Sequence, residues 1–169
     1  MPSVTSLATS SLTNVPEYSP ERRSAGRVAL LVSRYNEVVT SRLLDGARAC
    51  CKEAGLAEAQ MDVVWVPGAF ELGAAAAAAA DSGKYAAIIA LGAVIRGETP
   101  HFDYVAGETA RALSDVAVRF GLPVAFGVLT VDSMEQAMAR AGGAAGNKGH
   151  EAAAAALELA DAIAWLRRK

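Results

Sequence analysis

Gly92-Ala93-Val94-Ile95-Arg96-Gly97-Glu98-Thr99-Pro100-His101-Phe102-Asp103-Tyr104-Val105 continues an apolar run, Tyr85 to Leu91, and then enters a long helical pattern. Such a run reads as strand, loop, helix. In an open α/β sheet that loop lies at the C-terminal edge of a strand, where ligands bind. Gly97 allows close backbone approach, and the N–H groups ahead of the helix face an anion. His101 is the first candidate for proton transfer, because imidazole titrates near neutrality. The alternative is a histidine that merely caps or packs at a helix start.

The pattern repeats on both sides of this stretch. Upstream, Arg27 to Ser33 is a nearly continuous apolar run that suits a central strand covered on both faces. A helix follows from about Val38 to Ala54, with Val39, Leu43, Ala47, Cys50 and Ala54 at three- and four-residue steps and Gly55 as its C-terminal stop. Met61 to Val66 is the second strand. Ala69-Phe70-Glu71-Leu72 leads into Gly73 and the alanines Ala74 to Ala80, a helix by propensity. Ala86 to Leu91 is the third strand. Downstream, a helix from about Asp103 to Phe120 places Val105, Thr109, Leu113, Val116 and Phe120 on one side. Val124 to Leu129 is a fourth strand, and Asp132 to Glu135 reads as a capping box for a short helix carrying Met134, Ala137, Met138 and Ala141. Gly142 to Gly146 breaks that helix, and a last one runs from about Lys148 to Leu166 with Leu159, Ile163 and Leu166 inward.

Strand and helix therefore alternate four times, with one extra helix at the end. A three-layer α/β/α sandwich around a four-stranded parallel sheet follows. Four loops should crowd one rim: Arg34 to Asn36, Gly68 to Glu71, Arg96 to His101, and Thr130 to Ser133. Residues 1–24, rich in Ser, Thr and Pro, read as a flexible arm whose Val4 or Leu12 docks on a partner chain, and residues 25–169 as one domain.

An apolar fraction of 53% and a formal charge of −2 describe a soluble globular chain rather than a nucleic-acid coat. Neither a membrane span nor a signal peptide is indicated. Cys50 and Cys51 are adjacent, a spacing unsuited to a disulfide or a metal pair, and a reducing cytoplasm fits. There is no GxGxxG or GxxxxGK[ST] fingerprint for a dinucleotide or triphosphate, and no GxSxG elbow for serine hydrolysis. Tyr35 and Phe70, on separate loops, either cover the sheet edge or grip a flat heterocycle. Arg96, Arg140 and Lys148 are either solvated charges or phosphate ligands, the last two flanking the glycine-rich break. Glu71 either offsets a helix dipole or orients a polar ligand. A small anionic metabolite suits this set better than a polymer.

Three separated motifs, Pro67 to Glu71, Gly92 to Val105, and Gly127 to Thr130 followed by Glu135-Gln136-Ala137, stand in one order, with Arg140-Ala141-Gly142 and Gly146-Asn147-Lys148-Gly149 beyond them. In these the chain, from about Arg27 to Leu166, resembles the 6,7-dimethyl-8-ribityllumazine synthase family of riboflavin biosynthesis. The resemblance implies a flavodoxin-like fold and a cytoplasmic transferase without metal or organic cofactor. Its expected reaction joins 5-amino-6-(D-ribitylamino)uracil to 3,4-dihydroxy-2-butanone 4-phosphate, releasing phosphate and water. Carried over, Tyr35 stacks on the pyrimidine, Asn36 completes that loop, and Ala69, Phe70 and Glu71 line the ribityl chain. Ala93, Val94 and Ile95 hold the uracil edge, Glu98 and Thr99 present amides to the phosphate, and Arg140 pairs with it. His101 moves protons, Phe126 closes the ring pocket, and Lys148 lies near that pocket. The resemblance also implies a homo-oligomer with its site between subunits of a pentamer, twelve pentamers closing into a 60-subunit shell, and a product handed on to riboflavin synthase. Two positions depart from the family pattern. Tyr35 stands where Phe or Trp is usual, and Gly73 where proline is common, which implies a looser helix start. An archaeal-type riboflavin synthase and a flavin-sequestering binding protein are the rival readings.

Overall fold

The computed structural model describes residues 16–19 and 26–168. Val4, Leu12 and the boundary at residue 24 lie outside the described residues. Four strands, β1 (Val28–Ser33), β2 (Met61–Val66), β3 (Ala87–Ile95) and β4 (Val124–Val131), form one sheet in the order β2-β1-β3-β4. All three pairings are parallel. The intervening helices are α1 (Glu37–Glu53), α2 (Leu72–Asp81) and α3 (His101–Phe120), followed after β4 by α4 (Met134–Arg140) and α5 (Lys148–Leu166). The fold is thus the expected three-layer, flavodoxin-like sandwich.

Period-two geometry divides the apolar strands between two cores. Val28, Leu30 and Val32 pack with Leu43, Ala47 and Cys51 of α1 and Ala153 and Ala156 of α5. Ala29 and Leu31 face the opposite way, toward Leu72 and Ala76 of α2 and Leu113 and Val116 of α3. Leu30, Leu43, Ile89 and Leu113 are fully or almost fully buried. Each such side chain contributes roughly 1.5–3 kcal/mol of burial.

Both strands leading to the rim run further than their apolar patterns suggest. β3 continues past Leu91 to Ile95 and β4 past Leu129 to Val131, because the ladder carries on from Gly92 opposite Val128 to Ile95 opposite Val131. Arg96 N then donates to Val131 O at 2.9 Å. Ladder hydrogen bonds carry both strands through to these ends.

Other expectations require correction. Leu159 and Leu166 of α5 are 47% and 71% exposed rather than inward, and the buried face is Gly149, Ala152, Ala153, Ala156 and Leu157. Small residues win that face because α1 and α5 cross closely: a Cβ on Gly149 would stand 1.9 Å from Leu43 O. The cap of α4 is displaced by one residue. Ser133 Oγ accepts from Gln136 N, and Gln136 Oε1 accepts from Asp132 N, so Glu135 takes no part. Gly73 is buried where a Cβ would meet Ala112 Cβ at 2.6 Å, so α2 and α3 approach closely at this glycine.

The glycine-rich break is a small hairpin, β5 (Ala141–Gly143) and β6 (Gly146–Asn147), with Ala141 opposite Asn147. Gly142 at φ 96° and Gly146 at φ 78° occupy backbone regions that suit glycine. Of the N-terminal segment, Tyr18 meets α5: its hydroxyl lies 3.2 Å from Glu158 O and 3.3 Å from Asp161 Oδ2. Among the described residues no helix is long and apolar enough to cross a membrane.

Candidate active site

The parallel sheet brings the ends of β1, β2 and β3 to one rim, where three loops enclose a cleft of about 670 Å³. The turn after β1 supplies Tyr35, 72% exposed, and Asn36. Asn36 is the N-cap of α1 in the left-handed region, φ 61°, which Asn tolerates better than most residues. Its side chain makes no cap bond and instead donates from Nδ2 to Ala93 O at 2.9 Å. That bond ties the turn to the end of β3. Tyr35 N donates to Pro67 O at 3.0 Å, joining it to the loop after β2 as well.

Beyond β2, a 3₁₀ turn over Ala69–Glu71 buries Ala69 and exposes Phe70 and Glu71. Thr109 Oγ1, buried on α3, lies 3.1 Å from Ala69 O and 2.6 Å from Val105 O, which seats this turn on α3. Ala93, Val94 and Ile95 form the floor, and Thr99 and His101 the far wall. Glu98 is exposed beside Thr99 but does not line the cleft. His101 opens α3 and is exposed, with its N–H 3.5 Å from Thr99 Oγ1.

Arg96 braces the loop that carries these residues. Its guanidinium meets Asp132 at 3.1 Å and Asp103 at 3.4 Å, and lies 4.2 Å from the Phe102 ring centroid. It is engaged on three sides, so its role here is a brace across the β3, β4 and α3 ends.

Three of the expected site residues lie elsewhere. Phe126, Arg140 and Lys148 line a second recess of about 380 Å³ along the outer edge of β4. Phe126 is 45% exposed on β4. Arg140 ends α4 and donates to Gln136 O at 3.1 Å, and Lys148 begins α5 and pairs with Glu151 at 2.8 Å. The two linings share no residue. A single chain therefore presents an aromatic and imidazole cleft on one flank of the rim and a cationic recess on another. A third recess, of about 270 Å³, contains Tyr85, Pro123 and Arg167 at the opposite end of the strands and none of the motif residues.

Sequence reading missed several lining residues. Tyr104, 71% exposed, and Phe102 face the first cleft from within the quoted motif. Glu151 enters the second recess three residues after Lys148, a spacing that places both on one helix face. Chemically, the first cleft offers three exposed rings, Tyr35, Phe70 and Tyr104, with backbone groups at a strand end, a carboxylate and an imidazole. The second offers two cations beside an aromatic ring. A flat polar heterocycle suits the former and an anion the latter.

Fold and clefts together define a flavodoxin-like α/β protein with a cleft at the C-terminal rim of its parallel sheet, where such folds bind ligands. Comparison with known families carries this further. Residues 25–164 match the family model described as 6,7-dimethyl-8-ribityllumazine synthase, and the chain belongs to that family of riboflavin-biosynthesis enzymes.

Proposed function

We propose that this protein condenses 5-amino-6-(D-ribitylamino)uracil with 3,4-dihydroxy-2-butanone 4-phosphate to give 6,7-dimethyl-8-ribityllumazine, phosphate and water. The observation that carries the reading is the family match over residues 25–164, which spans both the His101 cleft and the Arg140 recess.

In this reading the pyrimidine stacks on Tyr35, and backbone groups at the end of β3, at Ala93, Val94 and Ile95, meet its edge. The ribityl chain runs along Ala69 and Phe70, with Glu71 accepting from its hydroxyls. Glu98 and Thr99 amides and the Arg140 guanidinium hold the phosphate, stabilising it as it departs. His101 accepts a proton from the condensing amine and returns one to a leaving oxygen. Much of the acceleration comes from holding two reactants in register, so His101 assists and does not carry the rate alone.

Separation of the two linings supports assembly of each working site from two chains. The first cleft of one protomer meets the Phe126, Arg140 and Lys148 recess of its neighbour in a pentamer, and the short connection from Gly142 to Gly149 suits closure into a 60-subunit shell. The protein acts in the cytoplasm without cofactor and passes its product to a riboflavin synthase. Product absorbance after mixing purified protein with both precursors, and with each alone, tests the reaction. Product only from the pair supports it. Turnover of the lumazine alone would identify a riboflavin synthase, and binding without turnover a sequestering protein. Sedimentation at the mass of a single chain would sink the two-chain site.

A further inference from the structure

We propose that Asn147 is a positioning residue whose side-chain amide ties the cationic corner of Arg140 and Lys148 to α1. The inference rests on the phosphate role given to Arg140 above, with Lys148 in the same recess. Asn147 is the half-buried N-cap of α5, and its Oδ1 accepts from Gly149 N at 2.9 Å and His150 N at 3.2 Å. Capping asks for nothing more than that oxygen, and Ser, Thr or Asp supplies it equally well. The nitrogen does something else. Nδ2 donates to Arg42 O on α1 at 2.9 Å, so one planar amide joins the start of α5 to the side of α1.

Both cations hang from this point. Lys148 follows Asn147 directly in the chain. Arg140 precedes Ala141, and Ala141 is the residue opposite Asn147 in the hairpin. A shift of Asn147 therefore reaches Lys148 through one peptide bond and Arg140 through one strand pair and one more. Space for the amide exists because residue 46 is glycine: a Cβ there would stand 2.2 Å from Oδ1 and 2.6 Å from Nδ2. Gly46 and Asn147 form a socket and plug between α1 and the hairpin. A side chain that only filled space would not need its two polar atoms directed at two different helices.

The test separates the tether from packing. Asn147→Ser keeps a neutral capping oxygen and loses the donor, and Gly46→Ala with Asn147→Ser refills the vacated socket. Both are compared with wild type and Arg140→Ala in the full assembly. Readouts are KM for each substrate, kcat, inhibition by inorganic phosphate, and the thermal midpoint. Asn147→Ser should raise KM for the butanone phosphate roughly three- to tenfold, the scale of one lost neutral hydrogen bond, and weaken phosphate inhibition in parallel. KM for the pyrimidine should rise much less, within about twofold, because the groups that Asn147 positions through the hairpin are Arg140 and Lys148, whereas Tyr35 and the end of β3, which hold the pyrimidine, lie in the other cleft. The double variant should recover the thermal midpoint and keep the raised phosphate KM. An unchanged phosphate KM in Asn147→Ser, while Arg140→Ala raises it, overturns the proposal. So does an equal rise for both substrates, or recovery of KM along with stability in the double variant. If Arg140→Ala itself leaves the phosphate KM unchanged, the phosphate corner has failed, and the tether falls with it.

Discussion

Replacing Gly149 with alanine is expected to destabilise the protein although alanine is the better helix former. Gly149 lies in the first turn of α5 where that helix crosses α1. A Cβ there would sit 1.9 Å from Leu43 O, 2.6 Å from Leu43 C and 2.8 Å from Leu43 Cα. These atoms are backbone inside α1, so no side-chain rotation relieves the contact. Ordinary van der Waals separation is about 3.5 Å, and α5 would have to back away by more than an ångström. That displacement opens the Ala152, Ala153 and Ala156 face against α1. Overpacking of this kind costs about 3 kcal/mol, the upper part of its usual range. Helix propensity returns about 1 kcal/mol at most. The net loss of about 2 kcal/mol corresponds to a fall of roughly 4–8 °C in the thermal midpoint for a domain of this size. Calorimetry at fixed protein concentration measures it, since assembly also contributes to apparent stability. An unchanged or raised midpoint would mean that propensity outweighs crossing distance, and the account of why α5 presents small residues to α1 would be wrong.

Four further outcomes are expected. Ser33 Oγ is fully buried with no hydrogen-bond partner among the described residues, so Ser33→Ala should be neutral or stabilising by about 1 kcal/mol, and a clear loss in urea unfolding would reveal a partner for it. Burial and the neighbouring Cys50 push the Cys51 thiol up from 9.0 to about 11, so stability should be complete below pH 9 and decline as pH rises toward 11. Cys51→Ala should flatten that decline, and an identical alkaline profile would contradict the assignment. His101→Ala should lower turnover yet leave measurable product, whereas wild-type turnover would remove His101 from the mechanism. Arg140→Ala should weaken binding of the butanone phosphate much more than binding of the pyrimidine, and equal losses by calorimetry would count against its role.

Most of the architecture was legible because four continuous apolar runs are separated by helical periods, and that pattern leaves few topologies. The rim residues followed from the same logic, since Tyr35, Phe70, Ala93 and His101 all occupy strand ends or the loops after them. What escaped was encoded in contacts rather than periods. The inward face of α5 was misread because large residues such as Leu159 were expected inside, whereas a close crossing demands glycine and alanine. The last residues of β3 and β4 lie past the expected strand ends at Leu91 and Leu129 and are paired with each other in the ladder. Asn36 looked like part of a loop, but its bond to Ala93 O makes it a cross-rim strut. The family resemblance assigns Phe126, Arg140 and Lys148 to one site with His101, a site lying between subunits. Which of these residues fall in which recess of one chain is read from the fold and not from linear spacing.

The most direct measurement is the ratio of lumazine formed to inorganic phosphate released in a single reaction vessel containing both proposed precursors. One lumazine per phosphate, with protein-dependent release abolished when the pyrimidine is omitted, is the predicted result. Phosphate release that proceeds without the pyrimidine, or no bicyclic product where an established member of the family makes it, would contradict the account.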